Sequence, residues 1–121
     1  MKFNRFEEIE VWKQSRIIVK VIYLITRHEK FSKDFGFKDQ IRRCSISIPS
    51  NIAEGYERKS NVEFIRYLFI AKGSAGELRT QIYLAYDLEY IDNVTCKNLI
   101  NNFEEISKSL SGFIKYLVSK K

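Results

Sequence analysis

Apolar residues recur at spacings of three and four along almost the whole chain, which is the period of an amphipathic α-helix. One stripe contains Ile41, Cys44, Ile48 and Ile52. Two longer stripes follow: Phe64, Leu68, Ala71, Ala75, Leu78, Ile82 and Ala85, then Leu99, Phe103, Ile106, Leu110, Phe113 and Leu117. Alternating threes and fours are typical of helices packed side by side. The pattern predicts an all-α four-helix bundle forming a single domain over residues 1–121.

The predicted helices span about 8–27, 37–57, 61–89 and 94–119. A break at residues 31–36 (FSKDFG) separates the first two. Ser60 and Glu63 have the S-x-x-E form of a capping box, which predicts the start of the third helix. Asp92 or Asn93 can cap the fourth.

Pro49 lies inside the second predicted helix. A proline in a helix interior costs about 3 kcal/mol and usually ends or kinks the helix. The apolar register nevertheless continues from Ile48 to Ile52, so we expect one helix kinked at Pro49. Three nearby serines can donate to carbonyls that lose their partner at the kink: Ser45, Ser47 and Ser50.

Two features predict contacts beyond one apolar stripe. Residues 17–25 (IIVKVIYLI) are apolar except for Lys20, too many for a helix covered on one side, which suggests that a second subunit covers the first helix. The small residues Gly73, Ser74, Ala75 and Gly76 interrupt the third helix, where each glycine costs about 1 kcal/mol relative to alanine. We expect a neighbouring helix to approach closely there; the alternative is a local weak point.

The charge is strongly basic, at +6 overall, and uneven. Residues 1–59 carry 13 Lys and Arg against 8 Asp and Glu, whereas residues 60–121 carry 8 against 7. An acidic ligand should therefore meet the first half of the chain. There is neither a signal-peptide pattern nor a long uncharged apolar run, so a soluble cytoplasmic protein without membrane contact is expected.

The chain shows few signs of catalytic chemistry. His28 is the only histidine, and no Gly-rich phosphate-binding loop is present. Cys44 and Cys96 are far apart, so we expect buried thiols rather than a disulfide or metal site. The sequence thus predicts a protein that is not an enzyme and has no cofactor or metal.

The best candidate ligand surface combines basic residues with tyrosines. Arginine forks suit phosphate oxygens, and tyrosine rings can stack on bases. The candidate nucleic-acid-binding residues are Arg42, Arg43, Arg58, Lys59 and Arg66, with Tyr56 and Tyr67 nearby. The alternative is an ordinary solvated basic face.

Several polar residues flank the apolar stripes and are candidates for a partly buried network, or else for ordinary solvated charge: Gln40, Arg43, Asn51, Glu54 and Glu77. Helical spacing also predicts ion pairs between Glu54 and Arg58 and between Glu63 and Arg66. The tyrosines Tyr83, Tyr86 and Tyr90 are expected in the core or at an interface.

The segments QIRRCSISIPSNIAEGYER (40–58) and SNVEFIRYLFIAKGSAGEL (60–78) resemble the proteins encoded in 23S rRNA intervening sequences, also called S23 ribosomal proteins. The resemblance covers essentially the whole chain. It implies an up-and-down four-helix bundle that assembles as a barrel-like homopentamer. It also implies kinship with the accessory variability determinant proteins of diversity-generating retroelements, which are basic pentamers that work with a reverse transcriptase and nucleic acid.

The residues that match the family pattern are treated as structural: Gln40, Arg43, Ser47, Pro49, Asn51, Glu54, Gly55 and Glu77. Three positions depart from it. Ala75 replaces a usual leucine, Arg79 a usual glutamate and Glu89 a usual helix-ending glycine. The leading hypothesis is a homopentamer whose basic surface binds structured RNA, ribosomal RNA by family association, or serves an RNA-handling partner. The alternative is a protein-interaction scaffold without a nucleic-acid role.

Overall fold

A computed structural model describes residues 3–120, which form helices and no strands. After a 3-10 turn at Phe6–Glu8 come α1 (Glu10–Ile25), α2 (Glu29–Lys33), α3 (Phe35–Glu57), α4 (Asn61–Asp87) and α5 (Asn93–Ser119). The four long helices confirm the predicted all-α bundle, and their ends lie within two residues of the predicted ones. In the part of the chain described, no helix combines the length and apolarity needed to cross a membrane.

The long helices pack in the order α1, α3, α4, α5. α3 contacts both α1 and α4, and α5 packs along α4. Only three residues join α3 to α4 and five join α4 to α5, so these consecutive helices run antiparallel. α1 and α5 touch more sparsely, and the bundle is least tightly closed along that seam.

The apolar stripes found in the sequence form the core. Every stripe position on α3, α4 and α5 is buried. The predicted caps are also present: the Ser60 hydroxyl accepts from the Glu63 amide at 3.3 Å, and the Asp92 carboxylate accepts from the Thr95 amide at 2.8 Å. The latter bond lowers the pKa of Asp92 because it favours the charged carboxylate. These caps fix where α4 and α5 begin.

Residues 31–36 were predicted as a break, but most of this segment is helical. Phe31 in α2 is fully buried, with its ring centroid 5.4 Å from that of Phe37 and 5.1 Å from that of Tyr90. Asp34 accepts from the Phe37 amide at 3.2 Å and from the Tyr90 hydroxyl at 2.8 Å. The hydrogen bond to Asp34 raises the pKa of Tyr90. Aromatic burial and the Asp34 cap hold the segment in place, and sequence spacing did not reveal either.

α3 continues through Pro49, which confirms the prediction of one helix. Proline lacks an N–H, so the carbonyl of Ser45, four residues earlier, loses its helical donor. The Ser45 hydroxyl donates to the Arg42 carbonyl at 2.8 Å, and the Ser47 hydroxyl donates to the Cys44 carbonyl at 2.6 Å. Serines in helices reach back three or four residues, so these two do not serve the freed carbonyl as predicted.

A close approach between α3 and α4 occurs at Gly55. A Cβ built there would lie 2.6 Å from the Tyr67 Cβ and 3.0 Å from the Phe64 Cδ1, closer than packed carbon atoms allow. At Gly73 and Gly76 a Cβ would meet nothing within 4 Å. The close helix approach predicted for residues 73–76 therefore does not involve the two glycines, which lie away from the buried stripe of α4. α3 does reach this segment, since the Cys44 thiol donates to the Ser74 carbonyl at 3.3 Å.

α4 ends at Asp87, two residues before the predicted end. Beyond it Glu89 adopts a left-handed backbone with φ of 63°. The Tyr90 amide donates to the Ala85 carbonyl and the Glu89 amide to the Tyr86 carbonyl, both at 2.9 Å. This pair of hydrogen bonds commonly ends a helix at a residue with a left-handed backbone. Such a position favours glycine because glycine has no Cβ.

α1 is not covered on all sides by its own chain. Ile18 and Ile22 are buried, but Ile17 is 62% exposed and Leu24 is 46% exposed. A groove of about 190 Å³ between α1 and α5 lies beside Ile17. The Gln14 Oε1 atom, which lines the same groove, is buried and has no hydrogen-bond partner among the described residues. The sequence predicted that α1 is buried on more than one side, and this chain alone does not cover the side that carries Ile17 and Leu24.

Candidate nucleic-acid interface

Charged residues of both signs lie around the turn between α3 and α4. We call this group the turn cluster; it contains Glu54, Arg58, Lys59, Glu63 and Arg66, with the rings of Tyr56 and Tyr67. Arg58 lies 2.9 Å from the Glu54 carboxylate and donates to the Tyr67 hydroxyl at 2.7 Å. Arg66 lies 3.0 Å from the Glu63 carboxylate. These hydrogen bonds raise the pKa of both arginines and lower the pKa of both glutamates. The two predicted ion pairs are confirmed, so a carboxylate already meets each arginine in this turn cluster.

The tyrosines of the turn cluster are also occupied. The guanidinium carbons of Arg58 and Arg66 lie 5.1 and 4.6 Å from the ring centroid of Tyr67. The ammonium of Lys59 lies 5.0 Å from the ring centroid of Tyr56. A nucleic-acid base could stack on these faces of the tyrosine rings only after displacing the cations that cover them. The turn cluster is therefore a poor receptor for single-stranded bases.

The other two predicted residues, Arg42 and Arg43, are not part of the turn cluster. They precede Arg58 on α3 by about 24 and 22 Å along the helix axis at 1.5 Å per residue. Arg43 is 79% exposed and pairs with Asp39 at 3.0 Å. Arg42 turns towards α1, where its Nε donates to the Thr26 hydroxyl at 2.8 Å. The five predicted residues thus form two separate groups.

α1 adds basic residues that the predicted surface did not include. Lys13, Arg16 and Lys20 are exposed and follow one another at spacings of three and four, on one helix face. Tyr23 continues this series, and the Arg42 guanidinium lies 4.3 Å from its ring centroid. We call Lys13, Arg16, Lys20 and Arg42 the basic stripe. None of their charged groups has a carboxylate of the described residues within 4.0 Å.

The signal for the basic stripe was present in the sequence. No Asp or Glu occurs between Glu10 and Glu29, while Lys13, Arg16, Lys20 and Arg27 do. These cations are interleaved with the apolar run of residues 17–25, and such a run predicts a buried helix rather than a charged face. The position of Arg42 beside Tyr23 depends on the packing of α3 against α1, and no local pattern indicates it.

Comparison with known proteins identifies the family. The family model for 23S rRNA-intervening sequence proteins matches residues 7–112. The chain belongs to this family. It is also similar to a crystal structure of a protein of unknown function from the S23 ribosomal protein family of Bacteroides thetaiotaomicron. The two share 31% identity with a TM-score of 0.80, over 87% of this chain and 95% of that chain. No curated protein matches the chain.

The structure shows where the three residues lie that are expected to depart from the family pattern. Ala75 is buried in the core. Arg79 is half-buried and borders a surface groove together with Glu104 and Lys108. Glu89 occupies the left-handed position after α4, where a glycine is usual because glycine takes this conformation without steric cost.

The predicted partly buried polar network is not formed in this family member. Asn51 is half-buried and donates to the Ser47 carbonyl at 2.7 Å. The remaining candidates are exposed, because side chains at the edge of a buried stripe reach solvent: Gln40, Arg43, Glu54 and Glu77.

Both thiols are buried, as predicted. Burial, together with the nearby Glu77 carboxylate, raises the pKa of Cys44 to about 12, and the Cys44 thiol donates to the Ser74 carbonyl at 3.3 Å. Burial also raises the pKa of Cys96. A thiol that resists ionisation is a weak nucleophile. Within residues 3–120, no group of three or more His, Cys, Asp or Glu side chains is arranged to hold a metal ion.

The outer face of α4 carries exposed apolar residues. Tyr83 and Tyr86 are exposed and Tyr90 is half-buried. Tyr83 and Tyr86 are therefore not core residues of the single chain, and their predicted place at an interface stays a prediction. Other exposed apolar side chains of α4 are Val62, Phe69, Ile70 and Leu84. Val62, Phe69 and Leu84 lie on the side of α4 away from the buried stripe, and the chain leaves them exposed.

Proposed function

We propose that this protein is a non-enzymatic RNA-binding protein and that its basic stripe contacts the phosphate backbone of structured RNA. The family description points to ribosomal RNA as the first RNA to test. One observation carries the proposal. The four cations of the basic stripe lie together without a carboxylate partner in the described part of the chain, whereas Arg43, Arg58 and Arg66 are all paired.

This difference in pairing matters because RNA affinity depends on replacing condensed counterions. A cation that approaches a phosphate releases counterions, and the affinity then falls as salt rises. An arginine already held by a carboxylate adds little net charge and must give up its ion pair to bind. The basic stripe is therefore better suited to phosphate binding than the turn cluster.

The proposal predicts a specific change in salt dependence. In the variant Lys13→Ala, Arg16→Ala, Lys20→Ala, we expect the log–log slope of RNA affinity against salt to become shallower by about 2 to 3, since each lost contact removes roughly 0.7 to 0.9. Binding of a structured 23S rRNA fragment and of an unrelated duplex of equal length should be measured by fluorescence anisotropy across a salt series.

The matched control is Arg43→Ala, Arg58→Ala, Arg66→Ala, which removes the same charge from paired positions. Its slope should change much less. Equal losses in the two variants would contradict the assignment to the basic stripe. Weak wild-type binding that vanishes near physiological salt, without preference for the ribosomal fragment, would contradict an RNA-binding function.

We also propose that the protein is a homopentamer in which a second copy covers the open side of α1. The support is the exposed Ile17 and Leu24 beside the sparsely packed α1–α5 seam. Light scattering should give a mass of five 14.4 kDa chains. Ile17→Glu should lower that mass, whereas Phe35→Glu, at a 73% exposed site outside this seam, should not. A wild-type monomer at micromolar concentration would contradict the proposal.

The exposed face of α4 favours a second candidate function, a protein-interaction scaffold. Val62, Phe69 and Ile70 expose apolar side chains within about two turns of α4, and apolar patches on a soluble protein can mark a binding site for another protein. In that case the basic charge would only keep the protein in solution. Copurification of one stoichiometric protein partner without RNA, lost in Phe69→Glu, would favour the scaffold.

A further inference from the structure

Arg42 differs from the other arginines of the predicted surface in how it is held. Arg43, Arg58 and Arg66 each lie within 3.0 Å of a carboxylate oxygen. Arg42 instead has a neutral partner and an aromatic one: its Nε donates to the Thr26 hydroxyl at 2.8 Å, and its guanidinium carbon lies 4.3 Å from the Tyr23 ring centroid. Both partners belong to α1 or its C-terminal cap.

The Thr26 hydroxyl can act only as the acceptor in its hydrogen bond with Arg42. Thr26 is fully buried, and its single hydroxyl hydrogen is directed to the Ile22 carbonyl at 2.8 Å. A hydroxyl oxygen also accepts hydrogen bonds, and an Arg Nε can only donate. Thr26 must therefore receive the Nε–H of Arg42. Because Thr26 is anchored in the helix backbone, one edge of the guanidinium is held in place.

The rest of the guanidinium is available for a ligand. Tyr23 covers one face of the plane, Thr26 takes the Nε–H, and four N–H donors remain on the two terminal nitrogens. Arg42 has no carboxylate within 4.0 Å among the described residues and is only half-buried. An arginine that is oriented in advance loses less side-chain entropy on binding than a free one.

We propose that Arg42, held by Thr26 and Tyr23, is a preformed seat for one phosphate group of an RNA backbone. This proposal rests on the proposed function and names the residue that fixes how the RNA lies on the basic stripe. The terminal nitrogens of Arg42 bind two phosphate oxygens at once, in the paired geometry that guanidinium groups provide. Lys13 and Lys20 supply charge without that geometry, because an ammonium is a point charge.

The test is Arg42→Lys, which keeps the charge but removes the fork. We expect RNA affinity to fall about tenfold, because one to two charge-assisted hydrogen bonds to the phosphate are lost. The slope of log affinity against log salt should not change, because the charge is kept. Arg43→Lys is the matched control, because Arg43 is the neighbouring arginine, pairs with Asp39 and lies outside the basic stripe, and it should stay within about twofold of the wild type. Thr26→Val, which keeps Arg42 but removes its anchor, should weaken binding by an intermediate factor.

A second measurement does not depend on RNA. The Nε–H signal of Arg42 should be visible by ¹⁵N NMR because it is hydrogen-bonded, and it should shift saturably on titration with dimethyl phosphate. The same titration of Thr26→Val should give a weaker response.

The two measurements separate the possible failures. If the wild type binds RNA but Arg42→Lys binds equally well, the assignment of Arg42 as a preformed phosphate site is wrong and the proposed function stands. If the protein fails to bind RNA but the Arg42 signal responds to dimethyl phosphate, the seat stands and the RNA function is wrong. If the protein binds neither, both are wrong.

Discussion

Replacing Phe31 by alanine is expected to lower the free energy of unfolding by about 3–5 kcal/mol, the usual cost of removing a buried phenylalanine ring. Phe31 is fully buried, and its ring contacts those of Phe37 and Tyr90. Its removal leaves a cavity where α2, α3 and the end of α4 meet. A loss of this size is a large fraction of the total stability of a small domain.

Phe35→Ala provides the matched control, four residues along the chain. Phe35 is 73% exposed, so its truncation should change stability by no more than about 0.5 kcal/mol. Urea unfolding followed by circular dichroism, at equal protein concentrations, measures both variants. Similar small effects for Phe31 and Phe35 would show that the segment 31–36 is the loose break that its sequence suggested.

Replacing Gly55 by alanine should destabilise the protein by about 1–3 kcal/mol, although alanine is normally the better helix former. The added methyl group would lie 2.6 Å from the Tyr67 Cβ and 3.0 Å from the Phe64 Cδ1. The Tyr67 Cβ is next to the backbone, so α4 itself must move to make room. The same urea titration tests this expectation.

Gly73→Ala and Gly76→Ala serve as controls for Gly55→Ala. A Cβ at either position meets nothing within 4 Å, so only the helix propensity changes. Each substitution should stabilise the protein by up to about 1 kcal/mol. Destabilisation at Gly73 or Gly76 would instead point to a close neighbour from another subunit, and neutrality at Gly55 would mean that α3 and α4 separate easily.

The local sequence was a good guide to the long helices. Spacings of three and four placed the buried faces of α3, α4 and α5, and the capping patterns at Ser60 and Asp92 marked where α4 and α5 begin. These signals are local, because a helix closes its hydrogen bonds within the segment and needs only one apolar side to be buried. The length and number of the long helices follow from them.

The candidate site was only partly predictable. Composition located the excess positive charge in the first half of the chain. Helical spacing predicted the pairs of Arg58 with Glu54 and of Arg66 with Glu63. It could not show that Arg58 also donates to the Tyr67 hydroxyl across the α3–α4 turn, or that Arg42 lies on Tyr23, 19 residues earlier in the chain. Contacts of this kind depend on which helices are neighbours.

The sequence by itself determined which residues form the four long helices, which face of each is apolar and where the charge lies, because those properties depend on neighbours within one or two turns. The tertiary structure decided that Gly55 is the glycine at a helix contact, that Phe31 is a core residue and that Arg42 is held without a counter-charge. Each of these results from the distance between elements far apart in sequence. Such distances are set by the packing of whole side chains across helix interfaces, and a pattern along one helix does not contain that information.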